Sequence, residues 1–495
     1  MNLARNLEMS ALYFTDRPAI SEASSETTYA ELNAKANRVA TALLGMGIKT
    51  GDHVGLCAPN SGNWLAFYFG VLKAGAVAVT LSSQLKKDEL RLLINHSRPK
   101  MIYSFDDKLD GLLPLRDAEC LQKIVSPRGD MSFDQLLAAG SENFKAVDSE
   151  RTDTAAILYT GGTTGVPKGV MLSHENINAS IHTVIWDERS SENDRALCFL
   201  PFNHVFGQMH IMNATILSGG CLELMPSFDL ERILACIQAG RVTKFFAVPT
   251  IYVRLLNLAD LKQNLGQVRY CFSAAASMAA EVVHQWKDRT GLAIHEGYGM
   301  TEAAPTVAFN HRVRHVVGSV GTAVAGVEIQ IRDMDGARVD QGQPGEVCVR
   351  GPNIMKGYLA NPEATREAFW HDGWFRTGDI GVLDANGYLY IVDRLKDMII
   401  TGGENVYSLE VEDVLYKHPD VQECAIIGVP DQEWGEKVTA YIKPRPSASI
   451  DKKEVKTFLK SRLSAFKVPK EFHVVEDFPR SPAGKILKRK LRDPL

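Results

Sequence analysis

Between two apolar runs, residues 155–159 and 169–172, the chain places Thr160, Gly161, Gly162, Thr163, Thr164, Gly165 and Lys168. Glycines let backbone N–H groups approach a ligand closely, threonine hydroxyls add donors, and the lysine adds positive charge; together they suit a polyphosphate. The spacing is not that of a Walker A loop, which requires Ser or Thr directly after the lysine, whereas Gly169 follows Lys168. A bare glycine cluster between strands is commonly only a turn. Three hydroxyls and an ammonium in the same loop point beyond that to an anion cradle.

A second polar string is EGYGMTE, containing Glu296, Gly297, Tyr298, Gly299, Met300, Thr301 and Glu302. A hydroxyl beside a carboxylate suits a nucleotide phosphate and the hard Mg²⁺ ion that accompanies it. A third is RTGD, in which Asp379 can accept hydrogen bonds from both hydroxyls of a ribose. Taken singly, the second string is weak and the third is a plausible β-turn. The tail from Lys485 to Arg492 has five basic residues in eight, which alone reads as a solvated or membrane-touching segment. His204, in the apolar stretch PFNHVFG, alone reads as a structural histidine.

The elements that must carry these groups alternate. The segment TYAELNAKANRVATALLGMGI puts Leu32, Ala36, Val39, Ala40 and Leu43 on one helical face and leads into the strand HVGLCAP. Helix and strand then recur to residue 104, and again after the glycine loop to about residue 317. This predicts α/β architecture with doubly wound, mostly parallel sheets. Residues 105–150 are polar and irregular and say little about their structure. From 318 to 393 short strands separated by Gly, Asp, Asn and Pro predict a small β-rich subdomain. The last hundred or so residues suffice for an independent α+β unit, whose helix DKKEVKTFLKSRLS carries Val455, Phe458, Leu459 and Leu463 at helical spacing.

At 495 residues, 45% hydrophobic and 23% charged, the chain is too long for one compact core, so at least two domains are expected. A net charge of -4 gives no general attraction to nucleic acid or an anionic membrane, leaving a small molecule as the expected ligand. Eight scattered cysteines without a C-x-x-C pair suggest neither a disulfide framework nor a zinc site. The apolar run 64–81 is long enough to test as a membrane span, but Lys73 in its middle and Gly75 after it favour a buried helix followed by a strand. With no signal-peptide core and no targeting tag at the C-terminus, the expected location is cytoplasmic.

In this order and with these neighbours, the three strings resemble the adenylate-forming superfamily of acyl-CoA synthetases, luciferases and peptide-synthetase adenylation domains. The match extends through VDRLKDMIITGGENVYSLEVE and PRSPAGKILKR and covers the chain from TTYAELN to Lys485. The resemblance implies an N-terminal adenylation domain over 1–393, a hinge at 394–396 and a mobile lid over 397–495. It implies two half-reactions: a carboxylate attacks the α-phosphate of MgATP to give an acyl adenylate and pyrophosphate, then a thiol displaces AMP. By the same resemblance, Thr160 to Gly165 and Lys168 hold the β- and γ-phosphates, Thr301 faces the α-phosphate and Glu302 binds magnesium. Tyr298 stacks on adenine with Ser273, Ala274 and Ala275 nearby, and Asp379 and Arg394 hold the ribose. Lys485 drives adenylation, its compact ammonium bridging carboxylate and α-phosphate. Lys396 falls at the hinge about which the lid swings, so that Gly402, Gly403 and Glu404 replace Lys485 and shape a pantetheine channel. His204 gates the reacting carboxylate, and the acyl pocket involves Phe202, Phe206, Gly207, Met209, Val248, Pro249, Ala274, Ala275 and Met300.

The sequence departs from the family pattern at a few positions. Gly161 stands where many members have serine, as in some fatty acyl-CoA synthetases. Ala274 and Ser277 replace a glycine and a proline, which narrows the expected acyl entrance. Ser408 replaces a common proline, a change expected to matter little. The favoured expectation is a CoA ligase for a medium- or long-chain fatty acid or a related hydrophobic acid, using ATP, magnesium and coenzyme A. The alternatives are an aryl-CoA ligase, an acyl-AMP ligase loading an acyl carrier protein, a luciferase-like oxygenase, and a nucleotide sensor without turnover. PFNHVFG lacks the aspartate that pairs with an amino-acid amine, and the run 393–403 lacks the insertion typical of carrier-directed ligases.

Overall fold

The computed structural model describes residues 1–23, 25–116, 121–160, 167–446, 448–481 and 484–492. One sheet has seven strands, in spatial order Gly357–Tyr358, Lys168–Ser173, Thr154–Thr160, Val77–Thr80, His53–Cys57, Met101–Ser104 and Lys123–Val125. Its pairs from Thr154–Thr160 to Lys123–Val125 are parallel, while Lys168–Ser173 returns antiparallel to Thr154–Thr160. A second sheet has nine strands, with a parallel centre that includes Arg195–Cys198, Lys244–Ala247, Tyr270–Ser273 and Ile294–Gly299. Parallel neighbours need crossovers, which the intervening helices supply, and this is the α/β architecture expected from the alternation.

The helices form for local reasons and stay for tertiary ones. Thr28 caps Tyr29–Gly45 through a reciprocal box with Glu31, and the helix buries Leu32, Ala36, Val39, Ala40 and Leu43. The run that resembled a membrane span is the helix Gly62–Lys73 and the strand Val77–Thr80, with Gly75 at φ +75° between them. Lys73 is fully buried there, and its ammonium pairs with Glu8 Oε1 at 2.6 Å from the helix Arg5–Tyr13. Removing Glu8 would leave an uncompensated buried charge, a change that costs about 3–5 kcal/mol. Among the described residues no helix is long and apolar enough to cross a membrane.

Two features lie outside the sequence reading. Residues 105–150 are not without elements: Lys123–Val125 extends the seven-stranded sheet, and Phe133–Ala138 is a helix capped by Ser132 and Gln135. Both are too short to show a period. The hairpin of Pro18–Glu22 and Ser25–Thr28 joins the edge of the nine-stranded sheet, Pro18–Glu22 pairing in parallel with Cys221–Leu224.

The four strands Glu328–Arg332, Gly345–Arg350, Phe375–Leu383 and Leu389–Arg394 form an antiparallel sheet. The last sheet begins at Ile399 and has its own core, in which Val455 and Leu459 of the helix Lys452–Lys460 are buried with Phe458 and Leu463 against them. Residues 395–398 are therefore the connection between two separately packed sheets. Among the described residues Cys57, Cys198, Cys221, Cys236, Cys271, Cys348 and Cys424 are unpaired and buried.

Candidate active site

The C-terminal ends of three adjacent parallel strands set the site. Ala247 is in register with Ser273, and Ser273 with Glu296, so the residues that follow each strand emerge side by side. Ligand sites of open α/β sheets lie at this edge. It brings together Val248 and Pro249, Ala274 and Ala275, and the turn through Met300, Thr301 and Glu302. Ala275 has φ +72°, a conformation costly for a residue with a Cβ and one that clusters at functional sites. Gly299 has no alternative: a Cβ there would lie 1.7 Å from Pro305 O.

The anion loop itself, Gly161, Gly162, Thr163, Thr164 and Gly165, lies outside the described residues. Its two ends are placed: Thr160 and Lys168 face each other across the hairpin. The Lys168 ammonium lies 4.8 Å from the ring centre of Tyr358, whose hydroxyl donates to Glu302 Oε1 at 3.0 Å. The strand Gly357–Tyr358 pairs with the strand that Lys168 begins, and Met355 N–H donates to Glu302 O at 2.8 Å. Lys168, Tyr358 and Glu302 thus form one group joining the two large sheets. Tyr358 belonged to none of the motifs, because a short edge strand after a loop leaves no sequence pattern.

Asp379 and Arg394 are opposite one another on neighbouring strands, with Arg394 Nε 3.2 Å from Asp379 Oδ1. The Tyr298 hydroxyl donates to Asp379 Oδ2 at 2.7 Å. Burial, reinforced by Asp379, holds the Tyr298 phenol well above its ordinary range, so it remains a donor.

The turn that carries Lys485 docks at the strand ends from the terminal sheet's side of the molecule. Gly484 O accepts from Thr250 Oγ1 at 3.4 Å, and Gly484, at φ +85°, packs against Val248. The turn is held by Arg480, which donates to both oxygens of Glu423, and by Ser481 N–H donating to Lys485 O at 2.8 Å. Burial, with the Arg394 guanidinium adding repulsion, pulls the Lys485 ammonium down to about 8. Burial and then Lys485 also pull His204 down to about 4. His204 Nδ1 accepts the Phe206 N–H at 3.2 Å, so a neutral ring carries its proton on Nε2. Lys396 is lowered by burial and by Arg394.

His204 lies two residues before the π-helix Phe206–Asn213, a geometry frequent at functional sites. Asn60 holds the turn before it, donating to Leu200 O and accepting from Phe202 N–H, both at 2.9 Å. Gly207 is required by crowding, since a Cβ would lie 2.5 Å from Pro201 O. Phe202, Phe206, Gly207, Met209, Val248 and Pro249 are buried in the main core, with Phe202 against Trp64 and Phe206 against Phe272. Met300, Ala274 and Ala275 are half-buried at its margin. Gly402, Gly403 and Glu404 are not brought to the site: they form the exposed tip of the hairpin joining Ile399–Thr401 to Glu404–Val406.

The chemistry of the donor set fits a nucleotide and its metal. Ser273 Oγ and Glu296 Oε1, adjacent in register, are buried without a hydrogen-bond partner, which leaves them open to a polar ligand. Burial, with Asp413 second, pushes the Glu296 carboxyl up to about 8. Among the described residues no three His, Cys, Asp or Glu side chains converge as a metal cage. A lone carboxylate, Glu302, instead suits magnesium, which arrives with phosphates and is bound through one or two carboxylates.

The comparisons with known proteins agree with this geometry. Residues 7–359 match the AMP-binding enzyme family and residues 410–485 its AMP-binding enzyme C-terminal domain. A feruloyl-CoA synthase of Amycolatopsis sp is 35% identical over 477 residues, covering 96% of this chain and 95% of that protein. A long-chain-fatty-acid–CoA ligase of Bacillus subtilis is 33% identical over 519 residues, covering 97% and 92%. ATP-bound MatB from Rhodopseudomonas palustris superposes with a TM-score of 0.93 at 36% identity over 100% of this chain and 99% of that one, while apo MatB superposes at 0.83 with the same coverage.

The fold is that of an adenylate-forming ligase, and the chain belongs to the AMP-binding enzyme family. It is an AMP-forming acid–thiol ligase of the acyl- and aryl-CoA ligase group, using ATP with magnesium and coenzyme A.

Proposed function

We propose that the chain converts a hydrophobic carboxylic acid to its CoA thioester through an acyl adenylate. In the first half-reaction a substrate carboxylate oxygen bonds to the α-phosphorus of ATP while the bond to the bridging oxygen breaks and pyrophosphate leaves. In the second, the CoA sulfur bonds to the acyl carbon and AMP departs with the electron pair of the broken C–O bond. AMP supplies the leaving group that a free carboxylate lacks.

The observation that carries this reading is that the turn bearing Lys485 docks on Val248 and Thr250, at the strand ends, where the ammonium feels the charges of Arg394 and Asp379. The Lys485 ammonium offsets the negative charge that builds between carboxylate and α-phosphate. Asp379 and Arg394 hold the ribose, Tyr298 and the 273–275 turn flank the base, and Thr301 faces the α-phosphate. Thr160, Lys168 and the intervening loop receive the β- and γ-phosphates. Glu302 would hold magnesium there, and the ion would supply charge neutralisation. His204, neutral at working pH, orients the acid without competing for its charge.

We assign residues 1–393 to the body, 394–396 to a hinge and 397–495 to a lid. The better superposition on ATP-bound than on apo MatB supports the adenylation orientation for this arrangement. Swinging the lid would withdraw Lys485 and bring the hairpin tip of Gly402, Gly403 and Glu404 to the acyl adenylate, opening a pantetheine passage.

The acid we favour is a medium- or long-chain fatty acid, on the apolar wall from Phe202 through Met209 and Met300. An aromatic acid is the second reading, favoured by the methyl group of Ala274 at the entrance and by the feruloyl-CoA synthase relative. Pyrophosphate release over a panel of fatty and aromatic acids, with CoA or a carrier protein as acceptor, decides between them. In the same assay Lys485→Ala should lower adenylation by on the order of 100-fold or more while sparing thioester formation from a supplied acyl adenylate. Equal loss of both half-reactions overturns the role given to Lys485.

A further inference from the structure

Ser408 does more than the sequence comparison allowed. It begins the helix Ser408–Leu415, and its backbone N–H donates to Asp393 Oδ2 while its hydroxyl donates to Asp393 Oδ1 at 3.1 Å. Asp393 lies on the body side of the 395–398 connection, in the strand Leu389–Arg394, and Ser408 on the lid side. These hydrogen bonds therefore cross the connection. All the groups are sheltered: Asp393 is 2% exposed and Ser408 fully buried.

The same hydroxyl accepts from Lys488 Nζ at 2.7 Å, and Lys488 also pairs with Glu412 Oε1 at 2.7 Å. Glu412 Oε1 in turn accepts the Ile426 N–H at 2.7 Å, anchoring the pair in the lid sheet. Lys488 is three residues beyond Lys485. Arg492 is engaged as well, on the lid side alone, with Nη2 3.1 Å from Asp397 Oδ1. The basic tail is thus not merely a solvated run, since Lys488 and Arg492 are both engaged.

We infer that Asp393, Ser408 and Lys488 form a latch across the connection that holds the lid in the orientation presenting Lys485 to the nucleotide. Turning the lid about residues 394–396 separates the start of its helix from the Asp393 carboxylate. The latch thus favours the adenylation orientation and opposes departure from it. A proline at 408 has neither the N–H nor the hydroxyl, so this chain holds its lid by contacts that a proline-bearing relative lacks. Ser408, Asp393 and Lys488 are positioning residues acting through Lys485. The inference rests on the lid-exchange reading above.

Ser408→Pro tests it with little risk to the fold. Proline is favoured at the first position of a helix, and Tyr407, at φ -86° and ψ 118°, already has the extended backbone required before one. Ser408→Ala removes the hydroxyl alone. Each variant is assayed for pyrophosphate release with acid and MgATP, and separately for thioester formation from supplied acyl adenylate and CoA. Adenylation should fall about tenfold in Ser408→Pro and less in Ser408→Ala, with thioester formation unchanged or faster. Asp393→Asn should give the same split, and adding Ser408→Pro to it should lower adenylation by clearly less than the product of the single effects. Equal loss in both half-reactions, no loss in either, a loss confined to thioester formation, or independent effects in the double variant overturns the latch. Lys485→Ala run alongside separates the two ideas. If it spares thioester formation while the Ser408 variants show no split, the latch alone fails. If it abolishes both half-reactions, lid exchange fails and the latch with it.

Discussion

Arg394 Nε lies 3.2 Å from Asp379 Oδ1, and the two residues face one another on adjacent antiparallel strands immediately before the chain leaves for the lid. The group proposed to hold the ribose is therefore built into the last strand pair of the body. Since Tyr298 occupies Asp379 Oδ2, a ribose diol must share or displace contacts already made. Asp379→Asn removes the charge while keeping the shape. It should raise the KM for ATP by about 10–100-fold, the range expected for a lost charge-assisted hydrogen bond. Saturating ATP should also raise its Tm less than that of the wild type. Steady-state kinetics and thermal shifts with ATP check both.

Lys485 is expected to impose a high-pH limb on adenylation. Its ammonium, held down to about 8, is the form that stabilises the transition state. Activity therefore persists below that value and falls as pH rises through it, and kcat/KM reports this free-enzyme ionisation. Lys485→Arg keeps the charge to far higher pH. It should lower the rate through poorer geometry but remove the limb. A wild-type profile flat from pH 7 to about 10 would contradict the assignment.

Tyr358 offers a test of the metal side of the site. Its hydroxyl donates to Glu302, and its ring lies beside the Lys168 ammonium. Tyr358→Phe preserves the ring and deletes the donor. The magnesium concentration for half-maximal pyrophosphate release should rise by about tenfold, as for other partners of metal-bound carboxylates. The effect should disappear at saturating magnesium.

Gly299 supplies a prediction about the fold rather than the chemistry. A methyl group at this position would lie 1.7 Å from Pro305 O, and the strand Thr306–Phe309 cannot move aside without losing its pairing to Ile294–Gly299. Gly299→Ala should destabilise by about 3 kcal/mol, at the upper end of typical overpacking. Denaturant unfolding would measure it. Gly291→Ala is a useful contrast. Gly291 also has a positive φ, +80°, but open space around its Cβ position, so it suffers only the backbone penalty.

Local sequence sufficed wherever one segment carries its own instructions. Strict helical spacing placed Leu32 to Leu43 on a buried face, Gly75 ended one element before another began, and the EGYGMTE and RTGD strings named residues that do meet in space. The class of enzyme followed from motif order. Contacts between distant segments were decided only by the tertiary structure. Pro18–Glu22 and Ser25–Thr28 join a sheet otherwise built after residue 190, Tyr358 enters the site from a two-residue edge strand, and Ser408 bridges from the last sheet's side of the chain to Asp393. The reason is physical: periodicity and turn chemistry are properties of neighbouring residues, whereas a hydrogen bond across 15 residues of chain, or another across 80, depends on where the folded sheets bring them.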